Sequence, residues 1–162
     1  MNALTVERLR ECLHYNEAEG VFTWKVKAAR NTVIGSVAGC FSPGSPVRIR
    51  IDGKCYRAHR LAWLYVHGAW PTGVIDHKNG SNRANGIANL RDTSNKVNSQ
   101  NMRKAHADSR TGLLGVVRRN GGYVAQIYVN GRGLYLGKYE TPELASAAYV
   151  TAKRVLHEGN TL

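Results

Sequence analysis

Two turn signals near the C-terminus constrain this chain more tightly than any other feature of it. Asn120-Gly121-Gly122 and Asn130-Gly131 interrupt runs rich in β-branched and aromatic residues. A two-residue hairpin turn needs positive φ, which asparagine and glycine adopt at little cost, so each signal predicts a reversal between antiparallel strands. The strands then fall at 113–119, 123–129 and 133–139. Thr141 follows as a side-chain cap, Pro142 as a first helical residue and Glu143 as a first-turn charge, while Lys153, Arg154 and His157 suit the last turn before Gly159. Leu144, Ala145, Ala148, Tyr149, Ala152, Val155 and Leu156 recur at helical spacing, a stripe expected to cover the sheet face formed by Ala125, Ile127, Leu134 and Leu136. Each element buries its one apolar face against the other, which predicts a compact α+β module.

Upstream, Leu4, Leu9 and Leu13 with charges between them predict a short amphipathic helix over 4–14. Val21, Phe22, Trp24 and Val26 read as strand after Gly20. The run from Val47 to Arg57 sets Val47, Ile49 and Ile51 against Arg48 and Arg50 and turns at Asp52-Gly53, a hairpin with one apolar and one cationic face. Residues 59–67 hold no helix breaker and stop at Gly68, which predicts a buried helix. Val74-Ile75 predicts a short strand, followed by a loop rich in Asn, Gly and Ser. A helix capped by Thr93 or Ser94 is expected to run to about Asn101. The polar stretch after it, with Arg103, Lys104 and Arg110, reads as a basic linker.

The charge narrows the partner. Lys and Arg number 23 against 11 Asp and Glu, a net +12 with a pI near 10.0, which favours a polyanion, nucleic acid before a membrane surface. No apolar run approaches the roughly 20 residues of a spanning helix, and no lipidation signal appears, so membrane binding is not expected. Glu7 and Glu11 interrupt the leucines between Met1 and Asn16, unlike a secretory leader, and an intracellular, cytoplasmic location is expected. Cys12, Cys40 and Cys55 are odd in number and widely spaced, without a Cys-x-x-Cys pair, and all three are expected as small buried residues. No organic cofactor is indicated, and the oligomeric state is not encoded legibly.

Phosphodiester hydrolysis needs a base for water, a cation at the scissile phosphate and stabilisation of the leaving oxygen. Asp76 and His77 sit side by side at the end of a predicted strand, and neighbouring strand residues point to opposite sides. That parity keeps the His77 imidazole from competing with Asp76 for one cation. A helical asparagine (Asn95, Asn98 or Asn101) could complete a site for a hard ion.

Asp76-His77-Lys78-Asn79-Gly80, Asn85, Asn89-Leu90-Arg91 and Asn98 together resemble the HNH motif of phage and intron homing endonucleases. Upstream, Gly35-x-x-x-Gly39, the basic hairpin, His59-Arg60-Leu61-Ala62-Trp63 and Gly68-x-x-Pro71 extend the resemblance across 1–102. It implies a nuclease domain over those residues with a ββα-metal core at 73–102, a basic linker at 103–112 and the C-terminal module at 113–162. Carried over, the resemblance makes His77 the general base, Asp76 and Asn98 the metal ligands, and Asn89 the residue that fixes the loop by bonding backbone groups. Asn98 stands where many relatives have a second histidine, which favours Mg²⁺ or Mn²⁺ over Zn²⁺. Asn95 is the fallback ligand, and His59 is open between packing and active-site support. His14, His67, His106 and His157 are expected at the surface or as caps.

Double-stranded DNA is the implied substrate. Arg48, Arg50, Lys54, Arg57 and Arg60 form the expected phosphate-contacting cluster, Lys78, Arg83 and Arg91 flank the site, and Arg103, Lys104 and Arg110 could follow a groove. Gly115-Val116, Tyr123-Val124-Ala125-Gln126-Ile127, Leu136-Gly137-Lys138-Tyr139, Thr141-Pro142-Glu143 and Ala147-Ala148-Tyr149 resemble the apetala-two/ethylene-response-factor DNA-binding domain. That resemblance implies that the sheet enters the major groove, presenting Arg119, Gln126, Tyr128 and Tyr135 with Arg132 at the turn. Leu114, Val117 and Tyr128 replace arginines common in that family, so a positioning role is expected rather than base reading. The competing reading is a non-catalytic DNA-binding or regulatory protein that retains the HNH fold.

Overall fold

A computed structural model describes residues 4–42 and 44–162; Met1–Ala3, the start of the stretch read for a leader, lie outside the described residues. The chain divides into two compact units, Met1–Ser94 and Asn95–Leu162. The described elements are small antiparallel sheets and helices, a mixed α and β architecture. None of the described helices is long and apolar enough to cross a membrane.

In the first unit, α1 (Val6–Cys12) is capped by Thr5, whose hydroxyl accepts the Arg8 N–H. The chain then turns directly into β1 (Leu13–Asn16), paired with β2 (Val21–Trp24). The helix expected over 4–14 therefore gives up its last two residues to a strand. Leu13 and Tyr15 alternate with His14, so their side chains enter the core while His14 stays exposed. β3 (Arg48–Ile51) and β4 (Lys54–Arg57) form the expected hairpin, with Asp52 and Gly53 at φ 48° and 80°. α2 (Ala58–His67) ends on Gly68 at φ 75°. Its buried Ala58, Leu61, Ala62 and Leu64 join Leu9, Phe22, Ile49 and Ile51 in one core. β5 (Val74–His77) and β6 (Leu90–Thr93) pair beside it, joined through a 3-10 turn at Ile87–Asn89.

The second unit opens with α3 (Asn95–Gln100) and continues through β7 (Val116–Arg119), β8 (Gly122–Val129), β9 (Arg132–Tyr139) and α4 (Pro142–Leu156). The sheet order is β7-β8-β9 with Asn120 and Asn130 at positive φ in the turns, and Thr141 caps α4 through Leu144 N–H. The stretch 103–112, read from the sequence as a linker, has no helix or strand and is mostly exposed, and it is tied to the second unit at its start. Lys153 reaches from α4 to the Met102 carbonyl, and Arg103 donates to the Thr161 carbonyl at 2.6 Å. Gln100 accepts the Gly159 N–H at 3.0 Å, so α3 groups with the C-terminal segment rather than with residues before Ser94.

The α4 stripe is also narrower than its sequence pattern. Ala145 and Ala148 pack on Val116 and Ala125, but Leu144, Val155 and Leu156 are exposed. Leu134, on the edge strand β9, is exposed too, because an edge strand has cover on one side only. Lys153 takes a buried position that the pattern gave to apolar residues, and its carbonyl partner satisfies the ammonium there. Two of the expected buried cysteines are exposed, Cys40 and Cys55. Cys55 pairs with Arg50 in the ladder and so falls on the cationic face of its hairpin.

Candidate active site

The polar centre of the first unit is built on β5 and β6. Ile75, Asp76 and His77 are all buried, so both faces of β5 are covered and two polar side chains lie out of water. Burial of a carboxylate requires compensation. The ladder supplies it by placing Arg91 opposite Asp76. Arg91 Nε and Nη2 lie 2.8 and 2.7 Å from Asp76 Oδ2, a charge-assisted pair on a single oxygen. One residue on, Asp92 accepts the Thr72 and Gly73 N–H groups at 2.8 Å each, which fixes the turn entering β5.

His77 Nε2 lies 3.0 Å from Asn85 Oδ1, both side chains buried. The ring of His59, from α2, stands edge-on to the His77 ring at 5.2 Å. His59 Nδ1 is buried without a hydrogen-bond partner among the described residues. Burial holds the His59 pKa down to about 4, with the neighbouring Arg57 and Arg60 acting the same way, so this ring is neutral at neutral pH. An uncharged ring tolerates a neighbouring imidazole that a charged one would repel.

The loop between the strands is fastened at one residue. Asn89 Oδ1 accepts the Asn79 N–H at 3.0 Å, and Asn89 Nδ2 donates to Asn79 Oδ1 at 3.1 Å and to the Ala84 carbonyl at 2.7 Å. Lys78 N–H closes the same loop on the Asn89 carbonyl at 2.8 Å. An asparagine amide both donates and accepts, so a single side chain ties both ends of the loop.

The expected cationic residues separate into several roles. Arg48, Arg50 and Arg57 are exposed on one face of the β3–β4 hairpin, where Arg48 stands directly opposite Arg57. Lys54 is exposed at the turn with the opposite parity, beside Ile51 in the ladder. Arg60 is half-buried, bonded to the Gly73 carbonyl and set over the Trp70 ring, and thus fastens α2 to the turn before β5. Lys78 and Arg83 are exposed beside the site, Lys78 donating to the Ala88 carbonyl and Arg83 lying 4.6 Å from the Phe41 ring centre. Arg91 is the partner of Asp76.

In the second unit, Asn95 and Asn98 are exposed on α3, and Asn101, just beyond it, accepts the Thr161 hydroxyl. Strand parity puts Arg119, Gln126, Tyr128 and Tyr135 on the sheet face away from α4, together with Lys138. Tyr128, Tyr135, Arg119 and Arg132 are exposed and Gln126 is half-buried. Arg103 and Lys104 are exposed, with Arg103 held by Thr161. His14, His67 and His106 are exposed, and His157 caps α4 and bonds the Tyr128 carbonyl.

Sequence spacing alone gives no role to Tyr15, which donates to the Asn85 carbonyl at 2.6 Å from the other end of the unit. Burial pushes its phenol pKa up to about 12, so the donor keeps its proton. Nor does spacing pair Arg91 with Asp76. The signal for that pair lies in the strand register, once His77 is set opposite Leu90.

With this geometry in place, comparison with known proteins adds one finding. A family model described as HNH endonuclease matches residues 56–100. The matched segment runs mid-chain, from within β4 through α2, β5 and β6 to α3, rather than over all of 1–102. It supports an HNH nuclease acting on DNA, a class that generally uses a divalent metal. No curated protein and no solved structure matches the chain.

Proposed function

We propose that this chain is a divalent-metal-dependent endonuclease that hydrolyses phosphodiester bonds of double-stranded DNA, of the phage or mobile-element homing type. The observation that carries the reading is a buried acid next to a buried imidazole, Asp76 and His77, inside the matched segment and beneath a loop fastened by Asn89. A buried acid and base side by side are costly to keep unless they work.

In this reading His77 takes the proton of the attacking water, and Asn89 holds the loop that carries it. Asp76 and Asn98 would hold the cation, Mg²⁺ or Mn²⁺. The donor chemistry fits. Asp76 offers carboxylate oxygens and Asn98 an amide oxygen, the hard donors that Mg²⁺ and Mn²⁺ prefer. When bound, such an ion supplies positive charge at the phosphate. His59, neutral and edge-on to His77, supports the ring without competing for its proton.

The exposed cations hold the substrate. Arg48 facing Arg57 is a like-charge pair that weakens the hairpin by itself, and a phosphate between the two would relieve it. Lys54, Lys78 and Arg83 add contacts near the site, and Arg103, Lys104, Arg119, Gln126, Tyr128, Arg132 and Tyr135 add contacts from the C-terminal unit, an apetala-two/ethylene-response-factor-type module used for positioning.

The test is plasmid cleavage with Mg²⁺, with EDTA, and with His77→Ala. Cleavage is expected only in the first case, with DNA affinity of the variant unchanged and falling steeply with salt. Undiminished cutting by His77→Ala removes the assigned base. DNA binding without cutting by the unaltered chain leaves a non-catalytic binding protein instead.

A further inference from the structure

We propose that Asn85 is the positioning residue of His77 and that the β1–β2 hairpin, outside the family-matched segment, is the seat that holds it. The proposal rests on His77 being the base of the reaction.

Asn85 is 2% exposed and His77 8%, and their 3.0 Å contact joins Asn85 Oδ1 to His77 Nε2. A carbonyl oxygen can only accept, so Nε2 must carry the proton of the neutral ring. The lone pair then resides on Nδ1. A neutral imidazole has one donor nitrogen and one acceptor nitrogen, and which is which is set by the bond made by the other. Asn85 thereby selects the tautomer as well as the ring orientation, and it does so from a buried position.

Asn85 is itself held from a distant part of the chain. Tyr15, on β1, donates to its backbone carbonyl at 2.6 Å. The turn between β1 and β2 closes on the same spot, where Ile87 N–H bonds the Glu17 carbonyl at 3.0 Å. Gly20, at φ +72°, approaches so closely that a Cβ there would lie 2.2 Å from the Asn85 carbonyl carbon. Gly86 approaches in return, since its Cβ would lie 2.7 Å from the Ala18 carbonyl oxygen. Two glycines facing each other allow two backbones to meet, and the meeting fixes the residue between them. The β1–β2 turn thus acts on His77 through Asn85.

The test uses the full chain in four forms: unaltered, Asn85→Leu, Asn85→Asp and Tyr15→Phe. Single-turnover cleavage, DNA affinity and the ¹⁵N shifts of the His77 ring are measured on each. The unaltered protein is expected to show the Nε2–H tautomer. Asn85→Leu lowers the cleavage rate about 100-fold, in the range found when a base loses its orienting partner, leaves DNA affinity within about twofold and mixes the tautomers. Asn85→Asp, which keeps an acceptor at the same place, recovers most of the rate, and Tyr15→Phe gives a smaller loss of the same kind. An Nδ1–H tautomer in the unaltered protein overturns the proposal even where a variant fails to fold. So does Asn85→Leu cutting at the normal rate while His77→Ala does not cut. If His77→Ala cuts normally, the nuclease assignment of His77 falls instead, and the ring spectra still report whether Asn85 sets the tautomer.

Discussion

Replacing Arg91 by Met should unbalance the centre of the first unit, and its cost can be worked from the structure. The substitution keeps the aliphatic length of the side chain but removes both bonds to Asp76 Oδ2 and the charge opposite a carboxylate whose side chain is only 5% exposed. Breaking one partner of a fully buried pair costs about 3–5 kcal/mol. Arg91 is 25% exposed, so water already shares its guanidinium and can partly replace it at the carboxylate, which lowers the expected loss to about 2–3 kcal/mol. For a unit of this size, that is a fall in melting temperature of roughly 10–20 °C. Urea unfolding followed by tryptophan fluorescence is the assay, because Trp24, Trp63 and Trp70 all lie in the first unit and report on it alone. Asp76→Asn in the same background should return much of the loss, since the buried side chain that Arg91 faced then carries no charge. Mg²⁺ should protect Arg91→Met more than the unaltered protein, because a cation at Asp76 replaces the missing positive charge. A loss below about 0.5 kcal/mol, within the range of ordinary surface substitutions, would refute the premise that its carboxylate depends on Arg91 for compensation.

Two further outcomes follow from other parts of the chain. Gly115→Ala should destabilise the second unit by more than about 2 kcal/mol, since the new Cβ would lie 1.9 Å from the Tyr149 ring at a backbone φ of +69°; tyrosine near-ultraviolet dichroism should register it while tryptophan fluorescence does not move. His59, whose folded pKa of about 4 lies below the 6.5 of the unfolded chain, contributes no penalty above pH 6.5. As pH falls from 6.5 toward 4 the unfolded state alone takes up the proton, so stability drops by about 3 kcal/mol across that window and His59→Gln should flatten the slope in urea titrations.

Much of the local structure is legible in the residues themselves. Asp52-Gly53, Asn120-Gly121 and Asn130-Gly131 all sit at positive φ in hairpin turns, and Gly68 ends α2 in the left-handed region, because these conformations are restricted by sterics within a few residues. The Thr141 cap and the Pro142 start of α4 are local in the same sense. Asp76 and His77 draw notice as neighbours at a strand end for that reason too.

What tertiary structure decided is everything that depends on which face meets which neighbour. Leucine spacing could not tell that Leu13 leaves the helix for β1, since both a helix and a strand would bury it. It could not tell that Lys153 is buried while Leu144 and Val155 are exposed, because which part of the helix surface is covered is settled only when the strands pair and Met102 offers its carbonyl to Lys153. The same holds at the site. Arg91 meets Asp76 through strand register, and Asn85 reaches His77 from a loop held by Tyr15, 70 positions away. Local sequence sets what a residue can do with the chain beside it; only the folded chain chooses the partner that makes a histidine one tautomer and a buried acid tolerable.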